Sequence, residues 1–191
     1  MNTKAIVTVD YGKCSPTERA NLIYSNYATF EVIIECFKED LINDIESEQQ
    51  YIKRQSMGDL GVRVQSSGIH SDPTLCHASN LMILDKMISD ENLTEDELAE
   101  LLDCDNLVYR YRTLYLMKKD YRRFKLQLGK LNPEDRMIMI PFLNKEKDYI
   151  QLSDELSITI ESMRKKVYRI RKSMITELSH NLMGALGEEG L

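Results

Sequence analysis

No apolar run in this chain approaches the roughly 20 residues that a membrane-spanning helix needs. The opening segment, MNTKAIVTVDYGK, also has no long apolar stretch of the kind a secretion signal carries. Membrane insertion and export are therefore both disfavoured. Cysteine is sparse, and Cys14, Cys36, Cys76 and Cys104 stand far apart without a CxxC pair. This suggests neither a zinc knuckle nor a disulfide framework, and a reducing cytoplasm is the expected compartment. A Walker loop, GxSxG, HExxH and a dinucleotide fingerprint are all missing, so no catalytic constellation is set up. An enzyme is not expected, and neither is a cofactor. His70, Cys76 and His77 lie near one another, but their spacing matches no common zinc pattern and no fourth ligand is evident, so no metal site is assigned.

What is present is enough for a globular protein. The chain has 191 residues, of which 42% are hydrophobic, sufficient for one moderate domain or two small ones. Its net charge of −6 argues against nucleic acid taken alone. The distribution argues the other way. Residues 1 to 120 hold 12 Lys and Arg against 21 Asp and Glu, a net of −9, whereas residues 121 to 191 hold 13 against 10, a net of +3. The segment SMRKKVYRIRKSM contains Arg164, Lys165, Lys166, Arg169, Arg171 and Lys172 and no acid. A local patch of this kind can bind phosphate despite a negative total.

Helix signals punctuate the chain. The short apolar run from Ala5 to Val9 fits a lone strand or an ordered arm. In SPTE, Ser15 is placed to cap a helix, Pro16 suits its first position and Glu18 closes a capping box. Apolar residues from Leu22 to Ile45 then follow the helical period, which predicts one or two amphipathic helices running to about Gln55. Residues 56 to 73, rich in glycine and serine, read as a loop. Helical patterning resumes after Asp72 and Pro73. A second capping box, Thr94 to Glu97, opens a run continuing to Leu128, with a break expected near Asp103 to Asn106. The acidic residues Asp96, Glu97, Glu100, Asp103 and Asp105 read as a solvated helix face rather than a site.

The last third is the most specific part. Asn132 is placed to cap a helix, with Pro133 in its first turn and Glu134 and Asp135 at the positive end of its dipole, and Pro141 is expected to bend or end it. A short helix is predicted from about Tyr149 to Leu156, followed by a tight connection at Ser157 and Ile158. Thr159 then caps a long final helix. In that helix Met163, Val167, Ile170, Met174 and Leu178 form one buried stripe, which leaves the basic residues largely on the other faces. Such a helix fits the DNA major groove. Glu161, Ser162, Arg164 and Lys165 are the candidates for reading bases, while Lys166, Tyr168, Arg169, Arg171, Lys172 and the Thr159 end of the helix are the candidates for phosphate contacts. Basic runs are common on ordinary solvated helices. The paired short helix and capped turn are what favour the DNA reading over that bland one.

The run from Tyr149 to Ile175 resembles the C-terminal helix-turn-helix of bacterial sigma factors and sigma-like phage regulators. The resemblance implies core positions for Leu152, Leu156, Ile158, Met163 and Val167, and a DNA-facing part at Thr159 and Arg164 to Lys166. The sequence departs from that pattern at Ser153, where alanine is usual, and at Ser157, where a turn glycine is usual. The loop GIHSDPT, a following helix and the C-terminal helix-turn-helix are similar to phage transcriptional regulators of the ArpU and RinA type. This resemblance implies a small, helical activator of late genes.

The expectation is thus an all-α protein. A helical region of residues 1 to 130 would serve oligomerisation or contacts with RNA polymerase, residues 131 to 183 would form a helix-turn-helix that binds double-stranded DNA, and residues 184 to 191 would be a tail. Self-association as a homodimer is expected, because two half-sites raise the affinity of a weakly binding helix. The rival readings are a protein-protein module (an adaptor, inhibitor or DNA mimic acting on RNA polymerase or another host protein) and a small DNA-packaging subunit.

Overall fold

The structure is a computed structural model that describes residues 11–56, 73–90, 92–99 and 101–183. The possible strand from Ala5 to Val9, nearly all of the glycine and serine loop with His70, and the tail from 184 onward lie outside the described residues. So do the side chains of Cys76 and His77. The protein is all-α. Among the described residues a single 3-10 turn, Tyr11–Lys13, precedes seven helices: α1 Pro16–Ser56, α2 Pro73–Ser89, α3 Glu95–Ala99, α4 Cys104–Gly129, α5 Pro133–Leu143, α6 Tyr149–Glu155 and α7 Ile160–Met183. None is long and apolar enough to cross a membrane.

Local chemistry accounts for where these helices start. The Glu18 carboxylate accepts from the Ser15 amide and hydroxyl, both at 2.8 Å, and the Glu18 amide donates to Ser15 Oγ at 3.3 Å. Thr94 and Glu97 repeat the arrangement at the start of α3. Asn132 Oδ1 accepts from the Asp135 amide at 2.7 Å at the start of α5. Each cap satisfies donors that the first helical turn leaves without partners. Pro16–Ser56 is one helix rather than two, since no Gly or Pro follows Pro16 to interrupt it. Residues 101–103 lie outside any helix just before α4, at the near edge of the expected break.

Packing divides the chain into two compact units, Met1–Ile34 with Leu116–Leu191, and Glu35–Tyr115. This differs from a single cut near residue 130, because α1 and α4 each give part of their length to each unit. Sequence periodicity marks a helix but not where along it the packing partners change.

In the first unit Ile23 and Phe30 of α1 and Met117 and Phe124 of α4 are fully buried. Their neighbours form an aromatic cluster, with Tyr27 and Phe124 ring centroids 5.5 Å apart and Phe30 and Tyr121 5.3 Å apart. A polar knot lies inside this core. The Asp120 carboxylate, fully buried, stands 3.1 Å from Arg19 Nε and accepts from the Tyr11 hydroxyl at 3.1 Å. Burial pushes the Asp120 carboxyl above the usual carboxylate range, against the pull of the Arg19 charge. Burial and the neighbouring Asp120 together hold the Tyr11 hydroxyl far above its ordinary value. In the second unit Leu41 and Ile45 of α1, Ile88 of α2, Leu98 of α3 and Leu107 and Leu114 of α4 are buried. Lys38 pairs with Asp85 at 3.0 Å, and Arg110 pairs with Asp44.

Candidate nucleic-acid interface

Helices α5, α6 and α7 follow one another through two tight turns of the same kind. Pro141 lies inside α5 without ending it: the helix continues two residues further to Leu143. Only one intrahelical bond is forfeited there, the one the missing Pro141 N–H would give to the carbonyl of Met137. Past Leu143 the Lys145 amide donates to the Phe142 carbonyl at 3.1 Å and the Glu146 amide to the Pro141 carbonyl at 2.9 Å, with Lys145 at φ 61°. The end of α6 repeats this pattern. The Ser157 amide donates to Asp154 at 3.2 Å and the Ile158 amide to Ser153 at 3.0 Å, with Ser157 at φ 52°. Both are Schellman motifs carrying Lys or Ser at the left-handed position that glycine usually fills. Ser157 thus holds the left-handed conformation that glycine adopts most readily.

Helix α6 is fastened at its other end as well. The Asp148 carboxylate accepts from the Ile150 and Gln151 amides, both at 2.9 Å, and the Gln151 side chain accepts from the Asp148 amide at 3.0 Å. This capping box, absent from the sequence expectations above, has its signal in D-x-x-Q ahead of the apolar Leu152. Tyr149 packs on Phe142 with ring centroids 4.8 Å apart, joining α6 to α5. Ser153 is buried and donates its hydroxyl to the Ile150 carbonyl at 2.7 Å, so the departure from alanine leaves no unsatisfied group.

Thr159 caps α7, accepting from the Ser162 amide at 3.2 Å, and its hydroxyl donates to Ser162 Oγ at 2.8 Å. The stripe of Met163, Val167, Ile170, Met174 and Leu178 is buried throughout, and Leu152 of α6 is buried with it. Leu156 and Ile158, expected in the core, are exposed instead, at 44% and 37%. The left-handed Ser157 between them turns the chain away, so neither is enclosed. With Ile160 at 39% they form a short apolar run at the exposed start of α7.

The basic residues separate into two groups once the buried stripe fixes the rotation of α7. At 3.6 residues per turn, Glu161, Lys165, Tyr168, Arg169 and Lys172 point away from the stripe, and all five are exposed. Lys165 pairs with Glu161 one turn back at 2.7 Å, a fully solvated contact that is easily exchanged. Arg164, Lys166 and Arg171 flank the stripe and meet protein, Lys166 half-buried and the two arginines still exposed. The Arg164 guanidinium lies 5.7 Å from the Tyr149 ring centre, and Lys166 lies 3.8 Å from Asp135. Arg171 donates to Asn21 Oδ1 at 2.8 Å and lies 4.7 Å over the Tyr24 ring, tying α7 to α1. Burial pushes the Tyr24 hydroxyl up to about 12, with the Arg171 charge pulling the other way. Ser162 is exposed beside the outward face with its amide and hydroxyl engaged in the cap.

No family model matches this chain, and neither does any curated protein or solved structure.

Proposed function

We propose that the unit containing α7 binds double-stranded DNA, with α7 as the helix that enters the major groove, and that the protein is a sigma-like transcriptional regulator. The observation that supports this most directly is the outward face of α7: Lys165, Arg169 and Lys172 lie exposed on one side of a helix whose other side is anchored by a continuous buried stripe. A rigidly held, basic, outward-facing helix with a capped and exposed N-terminus fits the groove and presents its first turns to base edges. The unit carrying it holds 18 Lys and Arg against 14 Asp and Glu, a net of +4 within a chain of net −6. Phosphates are attracted to such a unit.

In this reading Glu161, Ser162 and Lys165 face bases, and Tyr168, Arg169 and Lys172 face phosphates. Thr159 offers the amide end of α7 to a further phosphate. Leu156, Ile158 and Ile160 then have a use as well, because exposed apolar groups beside a recognition helix can meet thymine methyls. The same three residues favour a second reading, in which this end of α7 meets a protein partner.

Selection of bound duplexes from a random-sequence pool by the full chain tests the proposal. One sequence class should be enriched over successive rounds, and Lys165→Ala should broaden it. Recovery of a pool as random as the starting one would leave the protein-partner reading in its place.

A further inference from the structure

We propose that the second unit, Glu35–Tyr115, docks a basic amphipathic helix of a partner protein in the groove that α1, α2 and α3 form. A cavity of about 530 Å³ opens there. Its apolar wall includes Ile83, Met87 and Leu93, and Gln49, Asp96 and Glu97 supply polar and acidic lining. The size suits the few anchor side chains that a docked helix presents at i, i+3 or i+4 and i+7, rather than a folded domain.

Two observations say what should fill it. The first is unpartnered apolar surface. Ile83 is 58% exposed although it lines the cavity, and Met82 beside it is 74% exposed. Single exposed apolar residues are ordinary, but one that forms part of a cavity wall, as Ile83 does, marks a contact surface. Met87, half-buried in the wall, adds a side chain able to reshape to different anchors.

The second is charge. The unit holds 7 Lys and Arg against 17 Asp and Glu, a net of −10. Among the described residues no basic side chain lines the cavity, while Asp96 and Glu97 do. The Ser-type cap at Thr94 holds the Glu97 carboxyl below the usual carboxylate range, so it is charged near neutrality. A nucleic acid is repelled by such a field, and the same unit of a second copy would bring its own ten surplus negative charges to the contact. A helix with an apolar stripe flanked by Lys or Arg satisfies both the wall and the rim.

The inference stands apart from the DNA reading and is tested on the same full-length chain. Labelled synthetic amphipathic helices made of leucine with lysine, and of leucine with glutamate, are titrated in fluorescence anisotropy. The lysine helix should bind and the glutamate helix should not. Ile83→Ser and Asp96→Lys, both at exposed positions, should each weaken the lysine helix about tenfold. Arg169→Ala should leave that binding unchanged, and the Ile83 and Asp96 variants should keep the duplex affinity and circular dichroism of the wild type. Absence of binding, equal binding of the two helices, or variants that bind as the wild type does would overturn the proposal. Self-association of the chain that Ile83→Ser abolishes would overturn it too, since a second copy would then be the occupant.

Discussion

Two residues, Lys145 and Ser157, hold backbone conformations that side chains disfavour, and both sit in turns that set the relative placement of α5, α6 and α7. A left-handed conformation costs a residue with a Cβ about 1–2 kcal/mol, part of which glycine recovers and part of which it loses to its freer unfolded chain. Lys145→Gly and Ser157→Gly should therefore each stabilise the protein by about 0.5–1 kcal/mol, read as a rise in the urea midpoint; a fall at either position would contradict the turn geometry. Ser157 was legible as a turn residue because of its place between two helical patterns. Lys145 was not, since nothing in a lysine signals a left-handed turn. The Asp120 knot was out of reach of the sequence for another reason: Tyr11 and Asp120 are 109 positions apart, and no local pattern links them. Removing one member of a buried pair leaves the other charged and without compensation. Asp120→Ala should thus cost about 3–5 kcal/mol in the same unfolding measurement, and a loss below about 1 kcal/mol would show that Arg19 finds another partner.

At the scale of single helices, caps and stripes were the readable features. Ser15, Thr94, Asn132 and Thr159 cap where their sequence context places them, because an N-cap is decided by three or four consecutive residues. The α7 stripe was equally plain. What the sequence could not sort was which basic residues of α7 face out, because a pattern of buried positions does not say what packs beside the stripe. Tyr149, Asp135, Asn21 and Tyr24 decide that, drawing Arg164, Lys166 and Arg171 toward protein. The groups should fail differently when changed to alanine. Arg169→Ala or Lys172→Ala should weaken binding to every duplex and reduce the salt slope by about one unit each. Lys165→Ala should cost about 1–3 kcal/mol on the preferred site and relax discrimination there. Arg171→Ala should lower stability by about 1 kcal/mol through the lost contacts to Asn21 and Tyr24, leaving the salt slope as it was. A slope changed by Arg171→Ala and unchanged by Arg169→Ala would reverse the assignment.

Over the whole molecule the charge asymmetry visible in the sequence becomes sharper when it follows packing rather than chain order. The Glu35–Tyr115 unit carries −10 and the other unit +4, a larger contrast than the −9 and +3 of a cut at residue 120. The sharpening comes from the two ends of the first unit, which join a neutral N-terminal stretch to the basic C-terminal one across the acidic middle. A linear reading sees the sign of each stretch but not which stretches fold together. This division of charge is what lets an acidic chain be read as a DNA-binding protein, and it makes the salt dependence of duplex binding the most direct measurement of that reading. With Arg169 and Lys172 as the outward cations that meet phosphates, log affinity of the full chain for duplex DNA should fall against log salt with a slope of about −2 per bound chain. A chain with no salt-dependent affinity for any duplex would contradict the account.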